Sequence, residues 1–174
     1  MTQEWITFKK VDSIHNPEKK TRVTQPYLDA MGRGYMVSII APVYTDQGFA
    51  GAVGIDMTTT ALVNQFLSLD KRRLMIVSDK HNIVAMNKGC ASLLNISGPG
   101  KHRYLDKASE NRPLDEKFNL GSSARKGIRD IGHGIASDQT WFDLTLDKKK
   151  YRAIQEKIPH LGWHLVQLFA RTKD

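Results

Sequence analysis

Residues 34–56 have the sequence GYMVSIIAPVYTDQGFAGAVGID, which is typical of a β-hairpin. Residues 34–44 are rich in β-branched and aromatic side chains, which favour strands. Residues 45–48 (TDQG) are typical of a turn, and residues 49–56 continue as a second apolar stretch. The sequence therefore predicts two antiparallel strands joined by a hairpin.

Further elements are predicted on either side of this hairpin. Residues 58–60 are three threonines that can cap a helix, and Leu62, Phe66 and Leu69 then fall on one apolar face at i, i+4 and i+7. Upstream, residues 4–11 (EWITFKKV) alternate in a way that predicts a short strand.

The second half of the chain predicts another sheet. Short apolar runs and alternating segments, separated by turn residues, indicate a buried hairpin followed by a three-stranded antiparallel meander. Strands, an irregular or helical middle and further strands together predict an α+β fold with helices packed on antiparallel sheets. The predicted elements are strands at 74–77, 83–86, 141–146, 151–158 and 163–170 and a helix at 113–129, with 97–120 mostly loop.

Composition limits the class of protein. The chain has 174 residues, 40% of them apolar, so it is long enough for one large domain or two small ones. The net charge of +8 is spread along the chain, which favours a solvated surface over a nucleic-acid partner. The longest apolar stretch, residues 35–44, is shorter than the ~20 residues that cross a bilayer. Residues 1–4 show no charged region followed by an apolar one, so we expect no signal peptide here.

The sequence carries no pattern typical of a metal or catalytic site. Cys90 is the only cysteine, which excludes an intrachain disulfide, and we expect it to be a buried small apolar side chain. His160 and His164 have the spacing of a helical zinc pair, but Pro159 and Gly162 break any helix there. Because no nucleophile, phosphate-loop or dinucleotide motif is present, we expect neither an enzyme nor a cofactor.

Several segments together resemble a known family. Residues 24–29 (TQPYLD), 36–44 (MVSIIAPVY) and 48–56 (GFAGAVGID) are similar to the double Cache family of PAS-like extracytoplasmic sensor domains in bacterial transmembrane receptors. Residues 74–86 and 151–169 resemble the opening hairpin and closing strands of that family's membrane-proximal module. The resemblance covers nearly the whole chain.

The resemblance implies an organisation and a function. Residues 1–70 would be the C-terminal half of a membrane-distal Cache module, and residues 71–174 a complete membrane-proximal module. The implied function is sensing of a small molecule, such as an amino acid or an amine, at the periplasmic face of the inner membrane. The parent receptor would span the membrane, form a homodimer and be a methyl-accepting chemotaxis protein. A histidine kinase or a diguanylate cyclase is the alternative parent receptor. For the chain itself, an enzyme or a basic nucleic-acid-binding module is a more distant alternative to a sensor domain.

The ligand pocket is expected in the first half of the chain. Asp56 and Asp29 are candidates for binding a ligand ammonium group, with Tyr27, Tyr35 and Trp5 as walls and donors. Asp56 could instead cap the helix that follows it, and Asp29 could be a turn residue.

The second half is expected to form its own core and to transmit a signal without binding the ligand. Trp141, Tyr151, Trp163 and Phe169 are the aromatic residues predicted to contribute to this core.

Overall fold

Two antiparallel sheets, with short helices between and beside them, make up the fold. The structure is a computed structural model that describes residues 11–29, 33–68, 72–96 and 118–171. The first sheet contains β1 (Arg22–Val23), β2 (Tyr27–Leu28), β3 (Tyr35–Thr45) and β4 (Gly48–Thr58). The second contains β5 (Arg73–Val77), β6 (Ile83–Met86), β7 (Trp141–Leu146), β8 (Lys149–Ile158) and β9 (Trp163–Ala170).

The predicted hairpin is the centre of the first sheet. β3 and β4 are antiparallel partners over most of their length, with Ser38 directly opposite Asp56 and a register shift between Val43 and Tyr44. β1 pairs with β3 around Ile39 and Ile40, and β2 pairs with the beginning of β3, so both lie along the edge of β3 that faces away from β4. The hairpin predicted from the sequence is confirmed.

The helix after β4 begins as predicted but has a different apolar face. The α-helix α1 (Thr59–Leu62) continues directly into a π-helical turn (Val63–Leu67), in which the Ser68 amide donates to the carbonyl oxygen of Val63. The extra residue in this turn places Leu67 in the core and leaves the side chain of Phe66 63% exposed. The prediction that Phe66 shares the apolar face of Leu62 was therefore wrong.

The second sheet has the strand order β6-β5-β9-β8-β7, and every neighbouring pair is antiparallel. All five predicted strands are confirmed within a few residues. Helices of the second half pack on one face of this sheet. The predicted α+β fold, with helices on antiparallel sheets, is therefore confirmed for the described residues.

The helices of the second half differ from the prediction. The α-helix α2 (Lys88–Leu94), which was not predicted, is capped by Asn87, whose side chain accepts a hydrogen bond from the Cys90 amide. Of the predicted helix at 113–129, residues 118–125 form no α-helix and residues 126–129 begin α3, which occupies Lys126–Ala136. Its buried residues Ile128, Ile131 and Ile135 recur at i, i+3 and i+7 and form a single apolar stripe.

Two apolar clusters hold the fold together. The larger lies between the second sheet and the helices α2 and α3, and the smaller lies between the two sheets. The smaller cluster is formed by Val37, Leu62, Leu67, Leu74, Ile76, Val84, Ala85 and Trp163. Because this cluster contains residues from both halves of the chain, the second half does not bury its core alone.

The four aromatic residues predicted in the core divide into two pairs. Tyr151 and Trp163 are buried, as predicted. Trp141 and Phe169 are 52% and 39% exposed, so their prediction was wrong. Side chains alternate along a strand, and Trp141 therefore lies on the opposite face of β7 from the buried Phe142.

Some predictions fall outside the described residues. These are residues 4–10 of the strand predicted at 4–11, Leu69, residues 97–117 of the predicted loop and residues 113–117 of the predicted helix. Within the described ranges, none of the helices has both the length and the apolar composition that a bilayer crossing requires.

Candidate functional site

A chain of hydroxyl groups on one face of the first sheet leads to Asp56. The Ser38 hydroxyl donates to Asp56 Oδ1 at 2.6 Å, and the Tyr27 hydroxyl lies 2.7 Å from Ser38 Oγ. A serine hydroxyl has only one proton, so Tyr27 must be the donor to Ser38. The hydrogen bonds therefore all point the same way, from Tyr27 through Ser38 to Asp56.

The hairpin register explains why these three groups meet. Ser38 and Asp56 are directly opposite on β3 and β4, so their side chains project from the same face. Tyr27 is paired with Met36, two residues before Ser38, and lies on that face as well. The sequence motif that contains Tyr27 is thus placed beside the end of β4 by strand pairing.

Thr24 fixes the buried end of this arrangement. The Ser38 amide donates to Thr24 Oγ1, and the Thr24 amide donates to the carbonyl oxygen of Ser38, both at 2.9 Å. Thr24 and Ser38 are 3% and 1% exposed. Buried polar groups that have partners are held in one geometry, so Ser38 is a fixed support for the carboxylate of Asp56.

The environment keeps Tyr27 protonated. Burial raises the pKa of the Tyr27 hydroxyl above its ordinary value, and the negative charges of Asp56 and Asp29 raise it further. Tyr27 is therefore a hydrogen-bond donor at neutral pH. Asp56 itself is exposed, and no described residue makes a hydrogen bond to its Oδ2 atom.

Asp56 does not cap the following helix. Thr58 is the N-cap residue of α1, and its hydroxyl accepts a hydrogen bond from the Ala61 amide at 3.1 Å. The alternative interpretation of Asp56 as the cap was therefore wrong. Its carboxylate remains available on the sheet surface.

Asp29 is tied to the turn between β2 and β3. Its carboxylate accepts a hydrogen bond from the Arg33 amide at 3.1 Å and lies 4.0 Å from the Arg33 guanidinium. Its own amide donates to the carbonyl oxygen of Gly34. Asp29 therefore makes the contacts expected of a turn residue, which was the alternative to a ligand-binding role. Its negative charge also raises the pKa of Tyr27.

The structure does not bring Tyr35 together with these residues. Tyr35 is adjacent to Met36 in β3 and therefore points to the opposite face of the strand from Ser38. Its ring packs edge-on against Phe118 at 5.8 Å in the larger cluster. Trp5 lies outside the described residues.

The second half contains no competing metal or thiol site among its described residues. No group of three metal-ligating side chains is found there, and His160 and His164 lie in a turn and in β9. Cys90 is fully buried, which confirms its prediction. Burial raises the pKa of its thiol to about 12, so the reactive thiolate does not form at neutral pH.

An open pocket of about 400 Å³ lies on the helical side of the second sheet. It is bordered by the end of α2, the beginning of α3 and the guanidinium of Arg125. Arg125 donates to the carbonyl oxygen of Leu94 and to Asp147, so two of its five N–H donors are used in local structure.

No protein-family profile matches the sequence, and no curated protein matches it. Solved structures do match its fold. The ligand-binding domain of Mlp24 with asparagine is 19% identical, with a TM-score of 0.52 over 97% of this chain and 57% of that one. The sensory domain of the Campylobacter jejuni chemoreceptor Tlp3 with isoleucine bound is 14% identical, with a TM-score of 0.56 over 94% of this chain and 52% of that one.

A similar fold is also found in the extracellular domain of a putative histidine kinase. The extracellular domain of the putative histidine kinase mmHK1S-Z3 is 16% identical, with a TM-score of 0.60 over 93% of this chain and 53% of that one. The chain spans little more than half the length of these structures. The described fold therefore matches a little more than half of each of these sensory or extracellular domains.

Proposed function

We propose that this chain is the ligand-sensing part of an extracytoplasmic receptor domain, with a chemoreceptor as the parent protein. The observation that carries the proposal is the exposed Asp56 carboxylate, held on one side by the Ser38 hydroxyl, on a fold shared with sensory domains that bind amino acids. In this proposal the parent receptor spans the bacterial inner membrane, forms a homodimer and presents this domain to the periplasm.

The proposed ligand carries an ammonium group, as amino acids and amines do. A carboxylate with one oxygen fixed by a hydroxyl donor is a strong acceptor for N–H groups of a cation. The Tyr27 ring beside it supplies apolar and cation–π contact. Asp29 adds negative charge nearby, and Trp5 remains a proposed wall.

We also propose that the two halves of the chain belong to two modules. Support for a boundary between residues 70 and 71 comes from the strands, because the first sheet ends at Thr58 and the second begins at Arg73. Residues 1–70 would then contribute the C-terminal half of a membrane-distal module that binds the ligand. Residues 71–174 would form the membrane-proximal module, which transmits the signal.

A histidine kinase is the second candidate for the parent. Support for it comes from the similarity to the extracellular domain of the putative kinase mmHK1S-Z3. The two candidates share the ligand-sensing role and differ only in the output domain, which a sequence of the full-length protein would identify.

The Asp56→Asn variant tests the proposed site. We expect calorimetric titration with L-asparagine, L-isoleucine and L-serine to identify a ligand of the wild-type chain. Loss of the charge-assisted contact should weaken its binding by ~1.5 to 3 kcal/mol, or about 10- to 150-fold. Asparagine keeps the oxygen that accepts from Ser38, so the variant should fold normally.

Asp46→Asn is the matched control, because Asp46 is an exposed aspartate in the turn of the same hairpin. This variant should bind as the wild type does. Equal affinity of wild type and Asp56→Asn would eliminate Asp56 as the anchor. Absence of binding for all amino acids and amines tried would contradict the proposed ligand class.

A further inference from the structure

The side-chain amide of Gln25 joins the two sheets. Its Nε2 donates to Asp79 Oδ1 at 2.7 Å, and its Oε1 accepts from the Ser78 hydroxyl at 2.8 Å and from Asn82 Nδ2 at 3.2 Å. Gln25 belongs to the segment between β1 and β2, whereas the other three residues form the turn between β5 and β6. One side chain thus makes three hydrogen bonds between the two halves.

The turn that receives Gln25 is itself tightly bonded. Ser78 is fully buried, its amide donates to the carbonyl oxygen of Asn82, and its Oγ accepts from the Asn82 amide. Asn119 Nδ2 then donates to Asn82 Oδ1 at 2.9 Å. Because the single proton of the Ser78 hydroxyl goes to Gln25, loss of that partner leaves a buried donor unsatisfied.

On its other side, Gln25 is adjacent to the candidate ligand site. It follows Thr24, which exchanges two hydrogen bonds with Ser38, and Ser38 in turn donates to Asp56. Polar contacts therefore link Asp56 through Ser38 to Thr24, the peptide bond joins Thr24 to Gln25, and the Gln25 side chain bonds to the turn of the second sheet.

We propose that Gln25 is a positioning residue that couples the Asp56 site to the turn between β5 and β6. A group that engages the Asp56 carboxylate changes the hydrogen bond from Ser38 and, through Thr24, the position of the Gln25 amide. The turn at Ser78 and Asn82 moves with it. The role of a ligand in this coupling rests on the proposed function, but the coupling itself belongs to the ligand-free chain.

The chemistry of glutamine suits this position. The three contacts require a donor toward Asp79 and an acceptor toward Ser78 and Asn82, and an amide supplies both within one group. Glutamate at position 25 would keep the acceptor but would face the carboxylate of Asp79 with a like charge.

The test is a double-mutant cycle read by NMR in the ligand-free chain. Tyr27→Phe removes the donor to Ser38 and perturbs the site without removing a ring. We expect it to shift the side-chain amide signals of Asn82 and Asn119 in the otherwise wild-type chain. In a Gln25→Ala background, the same Tyr27→Phe change should leave those signals where they are.

A control and a rescue separate coupling from general loosening. Gln47→Ala makes the same chemical change in the exposed turn of the hairpin and should preserve the effect of Tyr27→Phe. Combining Gln25→Glu with Asp79→Asn exchanges donor and acceptor between the two side chains. This double variant should again show the signal shifts that Tyr27→Phe causes in the wild-type background. Gln25→Glu alone should not.

Two results would overturn the proposal. Either Tyr27→Phe leaves the Asn82 and Asn119 signals unshifted in the wild-type background, or it shifts them equally with and without Gln25. Neither result depends on a ligand. A failed calorimetric titration would therefore count against the proposed function, whereas the NMR experiment alone decides whether Gln25 couples the two sheets.

Discussion

Gly127 in α3 lies directly against the backbone carbonyl oxygen of Thr145 in β7. A Cβ atom on Gly127 would be well under 3.0 Å from that oxygen, a distance that real Cβ atoms essentially never show. The missing side chain therefore allows the beginning of α3 to approach the second sheet closely and to bury Ile128.

Gly127→Ala should destabilise the protein. The group in the way is strand backbone, which cannot rotate aside as a side chain can, so the helix would have to move. We expect a loss of ~1 to 3 kcal/mol in the free energy of unfolding, measured with urea.

Gly89→Ala is the matched control in helix α2. Its nearest neighbours would be 3.6 Å from the new Cβ, which is ordinary contact. Because alanine favours a helix over glycine, this variant should gain ~0.5 to 1 kcal/mol. A gain of similar size for Gly127→Ala would refute the close approach of α3 to β7.

Trp163 and Trp141 should differ sharply when each is replaced by alanine. Trp163 is 3% exposed and belongs to the cluster between the sheets, so its loss leaves a large cavity and should cost ~3 to 5 kcal/mol. Trp141 is half exposed and stacks 4.1 Å from the Arg152 guanidinium, a contact worth about 1 kcal/mol at the surface. Thermal unfolding measures both, and an unchanged melting temperature for Trp163→Ala would contradict its place in the core.

Cys90 should make stability fall at high pH. Burial raises the pKa of its thiol in the folded protein to about 12 from an ordinary value of 9.0. Between these two values the unfolded chain loses the thiol proton while the folded chain keeps it, so unfolding is increasingly favoured as pH rises. One such proton contributes at most ~1.4 kcal/mol per pH unit.

Cys90→Ala removes this contribution and leaves the other titrating groups in place. Its free energy of unfolding should therefore decline less steeply above pH 9 than that of the wild type. Parallel pH profiles for the two proteins would mean that the thiol titrates normally in the folded state.

Strand pairing was predictable wherever the pattern was local. Residues 34–56 contain both strands of a hairpin and the turn between them, so side-chain preference and short-range closure act together. The same holds for β7, in which buried and exposed residues alternate as its sequence does. The alternation also placed Trp141 outside the core, to which it was predicted to contribute.

The helices were harder to predict, because packing overrode their local preferences. Glycines at 127, 132 and 134 disfavour a helix in isolation, but Gly127 and Gly134 lie where α3 meets Thr145 and Phe142 of β7. After β4, a π-helical turn moved the apolar stripe by one residue, from Phe66 to Leu67. Neither effect can be read from periodicity.

The amino-acid sequence by itself determined the strands β3 to β9, the central hairpin and the residues around Tyr27 and Asp56 as candidates for a site, whereas the short strands β1 and β2 were not predicted. Only the tertiary structure decided which of the candidate site residues lie in contact with one another. Strand register put Tyr27, Ser38 and Asp56 on one face and Tyr35 on the other. It also placed Gln25 against the turn at Ser78, more than fifty residues away in the chain. Such contacts depend on how two sheets pack, and no local preference of the residues specifies them.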